Sequence, residues 1–244
     1  TVTTTGVFTD KNVAAGKTVN LSSSYGGVDK DNYAITDQAT TSANITAKPI
    51  TVSGIAANNK TYDRAITAGI DVSGAVGWIV GDDVTVATTG LFSDKNVGSG
   101  KTVTLTSSYG GVDKNNYTIT DQGSTTAAIT EKSITISGIT AGDKVYNRLT
   151  NVNVNVSGAI GWITGDDVTV STTGVFTDKN VDIAKTVNLT SSYGGLDKDN
   201  YTITDQTNTT ASISRKSLDV IGLSSADKIY DGNVNAPIFV TATL

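Results

Sequence analysis

Apolar and polar residues alternate with a period of two along much of this chain. In residues 101–106, Val103 and Leu105 alternate with lysine and threonine side chains. The same alternation recurs in residues 83–88, 117–120, 134–137 and 152–156. Period-two alternation of β-branched residues is typical of strands with one buried face. No segment has the spacing of a convincing amphipathic helix, so the pattern predicts an all-β chain.

Short segments rich in glycine, aspartate and asparagine separate the predicted strands. These segments are Gly81-Asp82-Asp83, Gly98-Ser99-Gly100, Gly110-Gly111 and residues 113–116. Such residue types favour tight turns. Six or seven short strands within residues 48–131 are typical of a small β-sandwich of immunoglobulin-like type. The Cys–Trp–Cys hallmark of that fold is absent, so the prediction depends on the number and spacing of the strands.

The chain repeats itself without a gap, and the sequence numbers of equivalent residues differ by 84. Residues 85–130 and 169–214 are identical at 33 of 46 positions. The positions that keep the spacing include Gly6, Gly90 and Gly174; Phe8, Phe92 and Phe176; Tyr25, Tyr109 and Tyr193; Tyr33, Tyr117 and Tyr201; and Trp78 and Trp162. Repetition at a fixed period is the sequence signature of a tandem array.

The period divides the chain into two complete repeats and two partial ones. We predict the C-terminal part of a repeat at 1–47, complete repeats at 48–131 and 132–215, and the N-terminal part of a repeat at 216–244. No linker rich in proline, glycine or serine lies at the boundaries. The sequence therefore predicts tandem immunoglobulin-like β-sandwich repeats of this period, stacked head to tail with stiff junctions.

The residue types that the chain lacks exclude many kinds of active site. Among its 244 residues there is no Cys and no His, which excludes Ser-His-Asp triads, Cys nucleophiles and the usual zinc, haem and iron–sulfur sites. The net charge of −5 argues against binding to nucleic acid or to an anionic membrane surface. No apolar run is long enough for membrane insertion. We predict no catalytic residue and no enzyme activity, and any secretion signal is expected outside these residues.

Aspartates in two kinds of turn are the candidate metal ligands. Carboxylates at alternate positions, or paired after a glycine, could converge on a calcium ion. The candidates are Asp29, Asp31, Asp82, Asp83, Asp113, Asp166, Asp167, Asp197 and Asp199. The distal bidentate Glu of a full calcium loop is missing, and turns in which Asp caps backbone amides explain the same pattern. We predict no cofactor, and calcium binding stays an open alternative.

The recurrent aromatic residues could either bind a ligand or pack within the repeats. An exposed Trp78 or Trp162 could stack on a sugar ring. Recurrence with the repeat favours a Trp that covers one end of the sandwich or packs against the next unit. Phe92 and its equivalents are predicted core residues. Tyr117 and its equivalents follow Asn at a strand start, so their hydroxyls are expected to tie down a loop.

A succession of short motifs gives the chain a family resemblance. Lys228-Ile229-Tyr230-Asp231-Gly232 has counterparts at residues 60–64 and 144–148, and Gly81-Asp82-Asp83-Val84, residues 92–97 and Asn116-Tyr117-Thr118-Ile119 follow. This succession resembles the YDG repeat domain of large bacterial surface adhesins. It is also similar to the bacterial immunoglobulin-like repeats of filamentous-haemagglutinin-like exoproteins. Arg64 and Arg148 replace the glycine, which argues against a turn with positive φ there, whereas Gly232 permits one.

The resemblance implies secreted, cell-surface fibres in which such repeats form the stalk, and it implies no catalytic or ligand-binding residue. The expected function is a structural, non-enzymatic stalk segment of an extracellular bacterial adhesin. Its expected partners are neighbouring repeats or identical chains in a fibre. A host or matrix ligand would bind through a region outside this segment.

Two other functions stay open at this point. Residues 216–244 of one chain could complete residues 1–47 of another by strand addition, which would give a self-assembling extracellular filament. Alternatively, the repeats could be calcium- or carbohydrate-binding modules, with threonine-rich strands such as residues 102–106 forming a flat face.

Overall fold

The chain is built from β-strands. The computed structural model describes residues 1–240, which form 23 strands and three short 3-10 turns, with no α-helix among them. The turns are Lys30–Asn32, Lys114–Asn116 and Lys198–Asn200. No helix in this part of the chain has the length and hydrophobicity of a membrane span. The prediction of an all-β fold is confirmed.

Contacts divide the chain into two compact units. The first holds Thr1–Lys132 together with Asp199–Thr202, and the second holds Ser133–Lys198 and the chain from Ile203 onward. The first unit thus combines a partial repeat, a complete repeat and five residues of the repeat that follows, Lys132 and Asp199–Thr202. The boundaries assigned to the single repeats stay a prediction.

Three antiparallel strands form the sheet of the first partial repeat. They are β1 (Val2–Phe8), β2 (Ala14–Tyr25) and β3 (Thr40–Ile45), in the order β1-β2-β3. β1 pairs with β2 from Val2↔Tyr25 to Phe8↔Val19. Among the described residues of this sheet only Val19 is buried, so its apolar face is largely open.

Nine strands form the complete repeat of the first unit. They are β4 (Lys48–Thr51), β5 (Ala56–Ala57), β6 (Lys60–Thr61), β7 (Thr67–Ala68), β8 (Ile70–Asp71), β9 (Thr85–Phe92), β10 (Gly98–Gly110), β11 (Tyr117–Thr120) and β12 (Ser124–Thr130). Five form a sheet in the order β6-β12-β10-β9-β7. β11 pairs in parallel with β4, and β5 pairs antiparallel with β8. The sequence predicted six or seven strands, because strands of two residues are too short to show an alternation.

The next repeat has the same strand order. Its strands are β13 (Lys132–Thr135), β14 (Thr140–Ala141), β15 (Lys144–Val145), β16 (Asn151–Val152), β17 (Val154–Asn155), β18 (Thr169–Phe176), β19 (Asp182–Gly194), β20 (Tyr201–Thr204) and β21 (Asn208–Ser214). The five-stranded sheet has the order β15-β21-β19-β18-β16, β13 pairs with β20, and β14 pairs with β17. Further along, β22 (Leu223–Ser225) pairs antiparallel with β23 (Ile238–Val240).

The alternation of the sequence decides which side chains form the core. In β10, Val103 and Leu105 are buried, while the threonines between them are exposed. The most buried apolar residues are Val52, Ile55, Phe92, Val103, Ile129, Ile136, Ile139, Phe176, Val187 and Ile213. Removal of this apolar surface from water stabilises each repeat without a disulfide.

Three details of the strand prediction are wrong. β9 begins at Thr85 rather than at residue 83, because Asp83 belongs to the preceding turn. The single strand predicted at 152–156 is two short strands, since β16 pairs with β18 and β17 pairs with β14. The Gly98-Ser99-Gly100 segment begins β10 instead of separating strands. Its pairing with β12 shifts register between Gly98 and Lys101, so the glycines form a bulge.

The turn after the recurrent tyrosine has a positive φ without a glycine. Arg64 has φ 70° and Arg148 has φ 71°, so the expectation drawn from the missing glycine is wrong. Asp63 Oδ1 accepts hydrogen bonds from Ala65 N at 2.9 Å and from Lys60 Nζ at 2.7 Å, and Lys60 Nζ also donates to the Ala65 carbonyl at 2.8 Å. These bonds hold the turn although position 64 is not a glycine.

Candidate functional site

A loop of the first partial repeat lies against the complete repeat that follows it in the same unit. The loop is Asp10-Lys11-Asn12-Val13. Val13 N donates to Asn116 Oδ1 at 2.9 Å, and Asn116 Nδ2 donates to Asn12 Oδ1 at 3.2 Å. One amide side chain therefore holds both the backbone and a side chain of the preceding repeat. We call this contact the repeat joint: residues 10–13 against Ile79, Asp82, Asp113, Asn116 and Tyr117.

The charged part of the repeat joint is centred on Lys11. Its ammonium lies 2.7 Å from Asp82 Oδ1 and 3.0 Å from Asp113 Oδ1. The side chain of Asp113 is buried to nine-tenths and that of Asp82 almost as much, whereas Lys11 reaches in from solvent. A carboxylate removed from water needs a positive or hydrogen-bonding partner. Lys11 supplies that partner from the neighbouring repeat.

Tyr117 fixes the second oxygen of Asp82. The Tyr117 hydroxyl donates to Asp82 Oδ2 and accepts a hydrogen bond from Ile79 N at 3.1 Å. Lys11, and after it Tyr117, hold the pKa of Asp82 below its ordinary value of 3.8. Asp82 and Asp113 together raise the pKa of Lys11 to about 12. The hydroxyl ties down the loop after Trp78, as the sequence predicted.

The docked loop is pre-formed by its own repeat. Asp10 Oδ1 accepts a hydrogen bond from Asn12 N at 2.7 Å and forms an ion pair with Lys17. The Lys17 ammonium also donates a hydrogen bond to the Asn12 carbonyl at 2.7 Å. In the next repeat, Lys101 pairs with Asp94 at 2.7 Å in the same way. The loop thus keeps its shape before it meets a neighbour.

The amide contact of the joint recurs one period further along the chain with the same distances. Val97 N donates to Asn200 Oδ1 at 2.9 Å, and Asn200 Nδ2 donates to Asn96 Oδ1 at 3.2 Å. Tyr62 meets Tyr201 edge-on, with ring centres 5.4 Å apart and planes at 79°. All five residues belong to the first unit. Tyr62 is the tyrosine of the Tyr-Asp-Gly-like motif, so this motif supplies an apolar contact between repeats.

A small apolar cluster supports the charged part of the joint. Ile50, Val84 and Tyr117 are buried together, and Trp78 and Ile119 pack against them partly exposed. Trp78 is therefore packed against the repeat rather than standing out in solvent. Trp162, at the equivalent position, is also half-buried.

Four of the candidate calcium ligands bind backbone amides instead. Asp83 Oδ2 accepts from Val112 N at 3.2 Å, and Asp113 Oδ2 accepts from Asp83 N at 3.0 Å, so two turns cap each other. Asp167 and Asp197 repeat this exchange, with Asp197 Oδ2 2.9 Å from Asp167 N. Capping of turns by aspartate is the ordinary use of such residues.

The other candidate aspartates differ in exposure, and two of them lie close to a lysine. Asp82 pairs with Lys11, Asp29 is exposed, and Asp31 lies 3.8 Å from Lys30. Asp199 is exposed and Asp166 half-buried. Within residues 1–240, no group of three or more acidic side chains is placed so that it could hold a metal ion. Calcium binding stays a prediction of the sequence alone.

The alternation and turn patterns of the sequence indicate neither Lys11 nor the side chain of Asn116 as contacts between repeats. Lys11 and Asp82 are 71 residues apart and lie in different repeats. A signal was present, because Asp-Lys-Asn-Val recurs at residues 10–13, 94–97 and 178–181. An exposed lysine that keeps the period of the repeat indicates a contact with the neighbouring repeat.

Replacing Lys11 by alanine is expected to lower the melting temperature by a few degrees near neutral pH, because two nearly buried carboxylates lose their cation. The contribution of Asp82 is fully present above pH 3.8 and is lost as the pH falls through the lower pKa of the folded chain. That of Lys11 is present below pH 10.5 and is lost as the pH rises through about 12. Thermal unfolding should therefore separate the variant from the original chain between about pH 5 and 9, and the difference should shrink below pH 3.8.

Lys179→Ala is the matched control for this measurement. Lys179 has the same place in its repeat, is exposed, and makes no ion pair or hydrogen bond through its side chain among the described residues. Its replacement should leave the melting temperature unchanged at every pH. Equal losses in the two variants would show that the contact of Lys11 contributes nothing.

Comparison with protein families agrees with the repeat seen in the sequence. Two segments match the model of the YDG domain, at residues 46–127 and 130–210, and together they cover more than half of the chain. No characterised protein and no solved structure matches the chain. The prediction of a tandem repeat is confirmed by the two consecutive matches. The chain belongs to the YDG domain family and carries two tandem copies of the domain.

Proposed function

We propose that the chain is a non-enzymatic stalk segment of a secreted bacterial surface adhesin. In this proposal each repeat is an immunoglobulin-like β-sandwich, and the repeats stack head to tail. The function is to hold a fixed length and direction outside the cell, while a ligand is bound by another part of the protein.

The observation that carries the proposal is the repeat joint. A flexible tether would need no specific contact between repeats, whereas here the amide side chain of Asn116 and the ion pairs of Lys11 both join two repeats. Only Thr46 and Ala47 separate β3 from β4, which leaves little slack between the first two repeats. The same amide contact, repeated at Asn116 and Asn200 with equal distances, favours a regular array.

A distance measurement between two spin labels tests the stiffness that a stalk requires. The chain has no cysteine, so Ser22→Cys and Thr106→Cys introduce the only two labelling sites. Both residues are exposed and occupy the same place in consecutive repeats of the first unit. Pulsed electron paramagnetic resonance should give one narrow distance distribution.

Asn116→Ala in the labelled chain should broaden this distribution, because it removes both amide bonds of the joint. Asn32→Ala is the matched control, since Asn32 has the same place in the first partial repeat and is exposed. The control should leave the distribution narrow. A broad distribution in the labelled chain without further substitution would contradict a stiff stalk.

A further inference from the structure

Apolar residues near the C-terminal end of the described chain are exposed at positions that are buried in the complete repeats. Val220 is 59% exposed, whereas Val52 and Ile136 at the same repeat position are each 1% exposed. Leu223 is 54% exposed, against 2% for Ile55. Leu218 and Tyr230 show the same contrast with Ile50 and Tyr62. Residues 216–239 therefore present the inner face of a repeat to solvent.

The first partial repeat exposes the residues that the first half of a repeat covers in the complete repeats. Tyr33 is 71% exposed, whereas its equivalents Tyr117 and Tyr201 are buried. Residues 33–36 form no strand, although Tyr117–Thr120 forms β11 and pairs with β4. In the complete repeat, β4 comes from the first half of the same repeat and pairs with β11, whereas residues 33–36 pair with no such strand in the described chain.

The complete repeat shows how the two halves fit. β4 pairs in parallel with β11 through Lys48↔Tyr117 and Ile50↔Ile119. β6 pairs in parallel with β12 through Lys60↔Ile129, and β7 pairs antiparallel with β9 through Ala68↔Gly90. The equivalent residues of the two partial repeats lie two periods later for the first half and one period earlier for the second half. Their expected pairs are Lys216↔Tyr33, Leu218↔Ile35, Lys228↔Ile45 and Ala236↔Gly6.

A glycine in the open sheet keeps space for a side chain of the other half. In the complete repeat, a Cβ on Gly90 would lie 2.5 Å from Ile70 Cδ1, so Ile70 packs directly on that glycine. Gly6 and Ile238 are the equivalent residues, and Ile238 is exposed. In the proposed register, Ile238 would therefore pack on Gly6 as Ile70 packs on Gly90.

We propose that residues 216–240 of one chain bind residues 1–45 of a second copy in this register. Main-chain hydrogen bonds of the added strands give affinity, and the apolar side chains of Val220, Leu223 and Tyr230 fill the open face. The two surfaces differ, so the contact is head to tail and continues into a filament. The same surfaces would accept a flanking repeat in a longer chain, so the test uses residues 1–244. This proposal does not depend on stiff joints within one chain.

Light scattering on dilution tests the association. The polypeptide of 25.1 kDa should show a mass that rises with concentration to multiples of that value. Val220→Asp should keep it at 25.1 kDa, because the charge would enter the apolar face. Ile229→Asp is the control and should still associate, since Ile229 and its equivalent Thr61 are both exposed. A mass of 25.1 kDa at all concentrations up to the millimolar range would overturn the proposal.

Disulfide trapping tests the register. Ala34 and Ser217 are expected to lie opposite each other, as Thr118 and Pro49 do in the complete repeat. A mixture of Ala34→Cys and Ser217→Cys chains should give a cross-linked heterodimer on mild oxidation, detected by mass spectrometry. Ala34→Cys mixed with Asp219→Cys should not, because an offset of two residues exceeds the roughly 7 Å that a disulfide spans between Cα atoms. Equal yields from the two mixtures would overturn the register.

Discussion

Replacing Tyr62 by alanine is expected to lower the free energy of unfolding by about 3–5 kcal/mol, the usual cost of removing a large buried aromatic side chain. Tyr62 is 1% exposed, and its ring meets the edge of Tyr201 from the following repeat. Lys95 Nζ lies 6.0 Å from the centre of the same ring. The substitution would leave a cavity where two repeats meet, so it should also weaken the contact between them. Urea unfolding followed by the fluorescence of Trp78 and Trp162 would measure the change.

Tyr230→Ala is the matched control. Tyr230 belongs to the same motif, but it is 92% exposed. In dilute solution, where chains are separate, its replacement should change stability by less than about 0.5 kcal/mol. Tyr62→Phe keeps the ring and should cost much less than the alanine variant. Similar losses for Tyr62→Ala and Tyr230→Ala would show that Tyr62 does not stabilise the contact with Tyr201.

These two outcomes would show that the tyrosine of the family motif has a structural role. The Tyr-Asp-Gly motif contains residue types that could take part in catalysis, yet its tyrosine packs against another ring. Its aspartate caps a turn through Ala65 N and Lys60 Nζ. In this chain the motif therefore maintains the repeat and its contact with the next one.

The all-β class and the period could be predicted from the sequence because both depend on patterns that are visible in the order of residues. Alternation over a few residues identifies long strands such as β10, and identical side chains one period apart identify the repeat. The short strands β5 to β8 could not be recognised, because two residues carry no period. The bulge at Gly98 could not be recognised either, since glycine is equally common in turns and in irregular strands.

The repeat joint could be predicted only in part. A close contact between the first two repeats followed from the missing linker, but the residues that make it did not, because Lys11 and Asp82 are distant in sequence and meet only after two repeats are folded. The same paired aspartates suggested calcium ligands. In the structure, Asp82 forms an ion pair with Lys11, and Asp83 accepts a hydrogen bond from a backbone amide. Composition and spacing alone do not show whether an aspartate binds a lysine, an amide or a metal ion.

Replacing Gly54 by alanine is the second change with a large expected effect. Gly54 has φ +86°, and a Cβ at this position would lie 2.0 Å from the carbonyl oxygen of Gly74. The close approach of these two glycines lets Ser53 and Val76 exchange hydrogen bonds of 3.1 and 2.9 Å. Strain of about 1–2 kcal/mol from the left-handed backbone adds to about 1–3 kcal/mol from the clash. We expect a total loss of about 3 kcal/mol or more in urea unfolding.

Gly81→Ala separates the two contributions. Gly81 has φ +97°, but nothing lies within 4 Å of a Cβ built on it, so only the strain applies. Its loss should stay near about 1–2 kcal/mol. Gly138→Ala should instead match Gly54→Ala, because a Cβ there would lie 2.0 Å from the Gly158 oxygen in the next repeat. If Gly54→Ala cost no more than Gly81→Ala, the bridge between Ser53 and Val76 would be free to open, and the close approach of the two glycines would not be needed to hold the repeat together.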